Sequence, residues 1–271
     1  MTHYKNKLKN INYSKLSGFW NNLAPRVQGK YSVNYLMDKK HELIARHRFV
    51  KDLKFIISNL PQNREGLLDL GCGTGNYLEK LAPLFSYSEG IDFSRLSINI
   101  AKQKFKNIKN IKIRCENVIQ TKLKKNFDLI NVSEVLMYLD NEDVVSLLKK
   151  TNNHLNKNGL ITLRESIASN KTVNLDVGEH KTIRRTISEF YKLFSEAGLK
   201  VTKVEQNYDY NYAWISALTF NFFPSLLRNK LFLNFYLNNI ITRFFLLFIP
   251  VKIMTFFKPN SFLHYYFVLN K

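Results

Sequence analysis

Three glycines and an acid stand where an apolar run gives way to a helix-like pattern, an arrangement that can bind a ligand. Gly71, Gly73 and Gly75 follow directly after LLDL (67–70), and this run contains Asp69. Glycine allows positive φ angles and lets the backbone approach a ligand without a Cβ in the way. The helix predicted after the loop would direct its free backbone amides toward the same place. The sequence therefore predicts a ligand-binding loop at the end of a buried strand.

The spacing of the loop and the nearby acids indicate which ligand it takes. Dinucleotide-binding loops read G-x-G-x-x-G and hold a pyrophosphate, whereas this loop reads G-x-G-x-G and continues with Asn76. Asp69 is unfavourable beside a pyrophosphate but suits a ligand with a cationic part. Asp92 ends the next apolar run, where an acid accepts hydrogen bonds from ribose hydroxyls, although Asp92 or Ser94 also suits a helix N-cap. These features disfavour a nicotinamide-dependent oxidoreductase, the alternative enzyme class.

The elements that must position these residues alternate between strands and helices. Short apolar strands that alternate with helices are typical of a parallel sheet covered on both faces, which binds ligands at the carboxyl ends of its strands. The predicted strands are 66–71, 89–92, 110–115, 126–133, 160–166, 199–206 and 264–270. The predicted helices are 39–60, 76–84, 94–107, 141–155 and 186–198. The apolar face assigned to the first helix comprises Leu43, His47, Val50, Leu53, Ile57 and Leu60.

Four segments resemble, in order and spacing over about residues 40–206, the successive motifs of class I S-adenosylmethionine-dependent methyltransferases. The segments are LLDLGCGTG, EGIDFS, FDLINVSEVLMYL and LNKNGLITLRE. The resemblance implies S-adenosyl-L-methionine as cofactor and S-adenosyl-L-homocysteine as product. We therefore expect an α/β fold with a doubly wound, Rossmann-like sheet of about seven strands, the last antiparallel. An N-terminal helical arm and a helical insertion before the last strand would complete it.

The resemblance also assigns contacts to the cofactor. It places Asp69, Gly71, Gly73 and Gly75 around the methionine and sulfonium part, Asp92 at the ribose hydroxyls, Phe93, Glu116, Asn117 and Val118 near the adenine, and Ser133 and Glu134 beside the cofactor. Asn117 falls on the position of the acid that contacts the adenine amine in many family members, and its amide oxygen can accept the same hydrogen bond. Glu116 is the competing candidate for this contact.

Residues near the ends of the fourth and fifth predicted strands are candidates for the chemistry. The catalytic candidates are Tyr138, Glu165 and His180, and the substrate-binding candidates are Arg164 and Arg185. His180 is included because imidazole titrates near neutral pH. Arg185 matches an arginine in a segment that resembles methyltransferases of small metabolites, sugars and protein N-termini. The alternatives are a core aromatic for Tyr138, an ion pair or cap for Arg164 and Glu165, and a solvated loop residue for His180.

The predicted function is transfer of a methyl group to an O or N atom of a small-molecule, glycan or lipid-linked acceptor. The rate of such a reaction depends on holding nucleophile, methyl carbon and sulfur in line. Nucleic acid is a disfavoured partner because NVSEVLMYLD stands where enzymes that methylate base amines carry Asn/Asp-Pro-Pro-Tyr. The alternatives are an N-methyltransferase of protein N-termini and an inactive, membrane-associated protein that keeps the fold.

Both ends of the chain are basic, within a net charge of +20. The first 64 residues carry 13 Lys or Arg against 3 Asp or Glu, and residues 210–271 carry 6 against none. This charge favours attraction to an anionic membrane surface or substrate, or else reflects solvated lysines. The predicted segments are an arm and substrate lid (1–60), a cofactor-binding core (61–209), an apolar basic insertion (210–263) and the final strand (264–271).

The insertion bears on whether the protein contacts a membrane, and the cysteines bear on whether it binds a metal ion. Charge-free runs within 220–258 have 12 residues or fewer, whereas a membrane-spanning helix needs about 20 apolar residues. The insertion is therefore predicted to cap the active site or to lie in a membrane interface. Cys72 and Cys115 lack metal-ligand spacing, and no secretory signal is recognisable. We expect no bound metal and a cytoplasmic location, free or on the cytoplasmic face of a membrane.

Overall fold

A seven-stranded mixed sheet forms the centre of the computed structural model, which describes residues 11, 13–26, 42–176, 181–207 and 263–271. The strands are β1 (Gly66–Leu70), β2 (Tyr87–Asp92), β3 (Ile111–Cys115), β4 (Phe127–Ser133), β5 (Leu155–Ile167), β6 (Val173–Asp176), β7 (Lys181–Arg184), β8 (Lys200–Asn207) and β9 (Leu263–Asn270). The helices are α1 (Tyr13–Arg26), α2 (Glu42–Ser58), α3 (Asn76–Leu81), α4 (Arg95–Lys104), α5 (Asn141–Asn153) and α6 (Ile187–Glu196). Ala82–Leu84 and Leu136–Tyr138 form short 3₁₀ turns.

The order of the strands confirms the predicted fold class. The sheet runs β3-β2-β1-β4-β5-β9-β8, and β6 pairs only with β7 in a separate hairpin. Strands β1 to β5 are parallel, whereas β9 is antiparallel to both of its neighbours, β5 and β8. The chain leaves β1 toward β2 and β3, and later returns to the other side of β1 to form β4. Such a reversal opens a crevice at the carboxyl ends of the two central strands, β1 and β4.

Strand β1 shows why this sheet is covered on both faces. All five of its residues are buried, and Leu68 and Leu70 pack into one apolar cluster while Leu67 packs into another. Side chains alternate across a strand, so the two clusters lie on opposite faces of the sheet. Asp69 is the polar exception in this run, and it is 1% exposed. A buried acid in a central strand points to a role other than packing.

The apolar face predicted for the first helix, which corresponds to α2, is correct only in part, since Leu53 and Leu60 pack against a core cluster but other members do not. Val50 and Ile57 are 52% and 45% exposed, whereas the buried face carries Phe49 and Asp52. Asp52 tolerates burial because it accepts hydrogen bonds from tyrosine hydroxyls of α3 and β9. Hydrophobicity alone therefore misplaces the inner face of this helix. The buried members are Ala45, Arg48, Phe49, Asp52, Phe55 and Ile56, and the side chains of Leu43 and His47 lie outside the described part.

Two predicted boundaries also differ from the structure. Strand β5 begins at Leu155 rather than at residue 160, because Leu155 pairs with Phe127 before the register shifts. Asn158 takes a φ of 64° within this irregular stretch. The segment between β5 and α6, predicted as a loop, contains the β6–β7 hairpin. Hairpin pairing of two short strands leaves only a weak local pattern, so this element was missed.

The described part of the chain excludes residues 208–262 and 177–180, so the predicted insertion 210–263 and His180 lie outside it apart from Leu263. Among the described helices, none is long and apolar enough to cross a membrane.

Candidate functional site

The glycine loop between β1 and α3 has the backbone conformation that its sequence requires. Gly71, Gly73 and Gly75 have φ angles of 73°, 52° and 77°, a region that other residues rarely adopt. The amides of Gly71 and Cys72 both donate to the carbonyl of Ile91, at 2.8 and 3.1 Å. The loop is therefore fastened to β2 directly at the crevice.

The three glycines differ in what surrounds them. A Cβ at Gly71 would lie 2.4 Å from Val135 Cγ2, and one at Gly75 would lie 2.5 Å from Phe105 Cε2. A Cβ at Gly73 would meet nothing within 4 Å. Gly71 and Gly75 thus allow close packing inside the protein, whereas Gly73 borders open space that a ligand can enter.

Asp69 brings a buried carboxylate to this loop. Its Oδ1 accepts a hydrogen bond of 2.7 Å from Asn131 Nδ2 of β4, and its Oδ2 has no hydrogen-bond partner among the described residues. Burial raises the pKa of Asp69 to about 7, against the hydrogen bond from Asn131. A buried carboxyl group that ionises near neutrality favours a cation as its missing partner. This fits the positive sulfonium and ammonium groups of the predicted cofactor.

Asp92 ends β2 and connects it to the loop. Its Oδ2 accepts a hydrogen bond from the Gly73 amide at 3.0 Å, and its Oδ1 accepts one from the Ser94 amide at 2.7 Å. Ser94, rather than Asp92, is the N-cap of α4, since its Oγ accepts from the Ser97 amide. Burial raises the pKa of Asp92, and backbone hydrogen bonds from Ser94, Gly73 and Phe93 oppose this rise. Each carboxylate oxygen keeps a second lone pair that can accept from a hydroxyl.

The residues predicted near the adenine already have partners within the protein. Arg114 holds Glu116 in an ion pair that lowers the pKa of its carboxyl group. Asn117 Oδ1 accepts the Ile119 amide at 2.9 Å, which closes a local turn. Val118 is buried in the core, and Phe93 is half-buried. The adenine contacts remain predictions.

Helix α1 lies over the same edge of the sheet. Its Trp20 meets Tyr138 edge to face with ring centroids 5.8 Å apart, and Leu16 packs against Tyr138 as well. Asn21 Oδ1 accepts hydrogen bonds from Ser94 Oγ and the Leu96 amide, at 3.3 and 3.4 Å. The described part of the predicted arm therefore covers the residues that follow β2 and β4.

Two of the predicted site residues hold the turn after β4. Glu165 is fully buried, and its Oε1 accepts the amides of Val135 and Leu136 at 3.1 and 2.9 Å. Arg185, also fully buried, donates to the carbonyls of Leu136 and Leu139 at 2.8 and 2.6 Å. These hydrogen bonds use the guanidinium group within the protein and argue against the substrate contact predicted for Arg185, which stays a prediction.

Glu165 and Tyr138, two of the predicted catalytic residues, lie at this turn, and their pKa values bear on the roles predicted for them. Burial raises the pKa of Glu165 to about 8, so this carboxyl group is largely protonated at neutral pH. Burial also raises the pKa of Tyr138 well above its usual range. Neither group is suited to remove a proton at neutral pH. Glu165 positions the turn, and Tyr138 contributes to the apolar wall beside α1. Ser133, at the end of β4, is half-buried with its Oγ 3.5 Å from Asn131 Oδ1.

A buried ionic network lies near the carboxyl ends of β4 and β5, on the side of α2 and β9. Arg164 of β5 lies between two acids, with Nη2 2.9 Å from Glu134 Oε2 and Nε 3.2 Å from Asp52 Oδ2. The Nε contact is an ion pair by distance, although its N–H group is not aligned for a hydrogen bond. His264 Nδ1 of β9 lies 3.2 Å from Glu134 Oε1. Arg164 is thus an ion-pair residue, the alternative to the substrate contact predicted for it.

Sequence reasoning missed His264 and Asp52 as members of this network. Tyr77 and Tyr266 donate to Asp52 at 2.8 and 2.5 Å, so the network joins α2, α3, β5 and β9. In the sequence, Asp52 is one charged residue on a predicted helix and His264 is one histidine at the start of a predicted strand. Neither feature alone predicts a buried ionic network. Within the described ranges, no group of three His, Cys, Asp or Glu side chains could hold a metal ion.

Comparisons with known proteins find methyltransferases. A family model described as a methyltransferase domain matches residues 68–161. The malonyl-[acyl-carrier protein] O-methyltransferase of Bacillus cereus is 32% identical over 97 residues, which cover 35% of each chain. The N-terminal Xaa-Pro-Lys N-methyltransferase 1-A of Xenopus laevis is 26% identical over 203 residues, covering 72% of this chain and 87% of that one.

A solved structure shares the fold over most of the chain. The O-methyltransferase from a polyketide synthase of Brevibacillus brevis, in complex with S-adenosyl-L-homocysteine, superposes with a TM-score of 0.60 at 17% identity. The match covers 90% of this chain and 80% of that chain. The chain spans only about a third of the length of the B. cereus relative.

Proposed function

The chain belongs to the class I S-adenosylmethionine-dependent methyltransferases, and from this premise we propose that it methylates an O or N atom of a small-molecule, glycan or lipid-linked acceptor. One observation carries the proposal. A buried carboxylate oxygen of Asp69 lacks a partner among the described residues, beside a loop whose central Gly73 borders open space. When bound, S-adenosylmethionine supplies a methyl group made electrophilic by a positively charged sulfur.

The protein's own residues would hold this cofactor from two strands. Asp69 of β1 offers negative charge in a site of low polarity, where attraction to a cation is stronger than in water. Asp92 of β2 offers acceptor lone pairs to the ribose hydroxyls while its backbone hydrogen bonds keep the carboxylate in place. Gly73, which lacks a Cβ, would let the backbone of the loop come close to the cofactor. Because the ribose would lie toward β2, the methyl end would lie on the opposite side of β1, toward β4 and β5.

The acceptor would therefore meet the residues that follow β4 and β5. Glu165 and Arg185 fix the turn at Leu136–Tyr138, and this turn sets the position of Tyr138. Fixed positions matter because the reaction gains most of its rate from alignment of the reacting atoms. Helix α1, packed against Tyr138 and Ser94, would keep water away from the reacting groups.

Calorimetry tests the cofactor half of the proposal. We expect S-adenosyl-L-homocysteine to bind and NAD not to bind. Asp92→Ala should weaken S-adenosyl-L-homocysteine binding about tenfold or more through lost hydrogen bonds. Asp176→Ala, which removes an exposed acid of β6, is the matched control and should bind normally. Equal affinity of the wild-type protein and the Asp92 variant would remove the role of Asp92.

A methyl-transfer assay tests the acceptor half. Labelled S-adenosylmethionine would be incubated with the protein and with extracts whose aqueous and lipid fractions are kept apart. Label in either fraction supports the proposal and identifies the source of the acceptor. Binding of the cofactor without transfer to any fraction would favour an inactive protein that keeps the fold.

A second candidate function is N-methylation of protein N-termini. The relative from Xenopus laevis, whose name states this activity, aligns over 72% of the chain. Peptides that begin with Xaa-Pro-Lys, with acetylated peptides as controls, test it directly. Methylation of the free peptides alone would support this candidate over the first.

A further inference from the structure

We propose that His264, held by Glu134, is the general base that takes the proton from the methyl acceptor. The inference rests on the proposed function, because it concerns the same site. It assigns a catalytic role to a residue of the last described strand and a positioning role to Glu134, whereas the sequence pointed to other residues.

The topology puts His264 on the acceptor side of the site. Ser133 of β4 is in register with Arg164 of β5, and Ser166 of β5 is in register with His264 of β9. Since β9 is antiparallel to β5, its first residues lie at the edge where β4 and β5 end. The methyl end of the cofactor would point to this same edge, away from β2. His264 is therefore placed where an acceptor must approach.

The backbone of Glu134 has a strained conformation, and its carboxylate contacts His264. Glu134 has a φ of 54°, one of two positive values among the described non-glycine residues. Its amide donates to the carbonyl of Arg164 at 2.7 Å, which fixes the strained conformation. Its Oε1 lies 3.2 Å from His264 Nδ1 and 3.4 Å from Ser166 Oγ. A strained backbone conformation costs free energy, so it persists only where the surrounding structure enforces it. Residues in such conformations cluster at functional sites.

The surrounding charges favour a neutral imidazole beside an ionised carboxylate. The groups that face His264 are Glu134 after β4, Arg164 of β5 and Arg48 of α2. Burial lowers the pKa of His264, and the two arginines lower it further, against the hydrogen bond to Glu134. Burial opposes ionisation of Glu134, but the charge of Arg164 and the hydrogen bond from His264 hold its pKa well below the usual range. A neutral histidine at physiological pH is competent to accept a proton.

Two oxygens lie near Nδ1 of His264, Glu134 Oε1 at 3.2 Å and Ser166 Oγ at 3.4 Å. Because the Ser166 hydroxyl donates to Glu134 Oε1, both oxygens can accept from Nδ1–H, which selects the tautomer that can act. A neutral His264 that donates Nδ1–H to the carboxylate carries its lone pair on Nε2. In the reaction, the acceptor's lone pair forms the bond to the methyl carbon, and the carbon–sulfur bond breaks with its electrons left on sulfur. The acceptor's proton passes to His264 Nε2. The imidazolium so formed stands beside the Glu134 carboxylate, which stabilises its charge.

Nuclear magnetic resonance tests this without any acceptor. Spectra are recorded on protein with ring-labelled histidine and bound S-adenosyl-L-homocysteine. The signal that is present in the wild-type spectrum and absent from that of His264→Asn belongs to His264. We expect it to be neutral at pH 7.5, and Glu134→Gln to lower its pKa further by removing the negative partner. A protonated His264 at pH 7.5, or a signal that Glu134→Gln leaves unchanged, would overturn the proposal.

Kinetics on the acceptor found above provide the second readout. We expect His264→Asn to lower kcat about 100-fold or more, and to remove the acidic limb of the pH–rate profile, while affinity for S-adenosyl-L-homocysteine changes less than about twofold. His154→Asn is the matched control, since His154 lies at the opposite edge of the sheet with its Nδ1 3.0 Å from the Lys125 carbonyl. An unchanged kcat in a folded His264 variant would exclude the role as base.

The two proposals fail in different ways. A wild-type protein that binds no S-adenosyl-L-homocysteine would refute the proposed function itself. Normal binding with full activity of His264→Asn would refute only the assignment of the base. Thermal unfolding of each variant, with His264→Gln as a second substitution, separates loss of activity from loss of the fold.

Discussion

The three glycines of the loop have two different requirements, although they look alike in the sequence. Gly75 packs against Phe105, and Gly73 faces space that the protein does not fill. Gly73→Ala should therefore cost only about 1–2 kcal/mol of stability through its φ of 52°, while weakening S-adenosyl-L-homocysteine binding at least tenfold. Urea unfolding and calorimetry measure the two effects separately.

Gly75→Ala is the matched comparison for this prediction. It combines a φ of 77° with a Cβ only 2.5 Å from Phe105 Cε2, so strain and overpacking add. We expect a stability loss of about 2–4 kcal/mol. Normal binding by Gly73→Ala, or a larger loss of stability for Gly73→Ala than for Gly75→Ala, would contradict the division between ligand space and packing.

Asp69 makes binding depend on pH. Its pKa rises from an ordinary value of 3.8 to about 7, so between these values the folded protein holds a proton that the unfolded chain releases. The contribution of this group to stability is therefore largest at low pH and falls as the pH rises toward 7. A cationic ligand favours the ionised form, so affinity should rise with pH, by up to about tenfold per unit, and level off above 7.

Calorimetry with S-adenosyl-L-homocysteine, whose sulfur is neutral but whose ammonium group is cationic, checks this dependence between about pH 5.5 and 8.5. Asp69→Asn should bind more weakly and show a flat profile, because the amide does not titrate and still matches the hydrogen bond from Asn131. A sloping profile in the Asn variant would assign the titration to another group.

At the scale of elements, the turn after β4 is held from both sides by two buried ionisable side chains, Glu165 and Arg185. Arg185→Met would leave the carbonyls of Leu136 and Leu139 without their donors in a buried environment. We expect a loss of about 3 kcal/mol in the free energy of unfolding. Lys181→Met, which replaces an exposed residue of the neighbouring strand β7, should change it by about 0.5 kcal/mol or less. Urea denaturation of both variants measures this, and a stable Arg185→Met with impaired turnover would restore its role in substrate binding.

Local patterns explain which elements and site residues could be predicted from the sequence. The glycine loop, Asp69 and Asp92 follow from backbone rules and strand ends a few residues apart. The inner face of α2, Arg185 and the Glu134–His264 pair depend on contacts between distant parts of the chain, such as Asp52 with Tyr266, 214 residues apart. Periodicity carries no information on such partners, which decide whether a charged residue is buried.

At the scale of the whole molecule, charge is the property that the site does not explain. The net charge of +20 predicts binding to vesicles that contain phosphatidylserine at about 50 mM salt, and its loss at about 500 mM salt, where screening is strong. Co-sedimentation measures it, with phosphatidylcholine vesicles as the neutral control. Binding that persists at high salt would indicate an apolar attachment, and none at low salt would leave the lysines merely solvated.

Among the described strands β9 comes last along the chain, yet it lies between β5 and β8. While a ribosome has yet to synthesise residues 263–270, the nascent chain has two strands whose facing edges lack a partner. Unpaired strand edges can join other chains, so the emerging polypeptide is vulnerable until β9 leaves the exit tunnel. Because β9 also carries His264, the proposed base, completion of the sheet and completion of the catalytic site are the same event during biosynthesis.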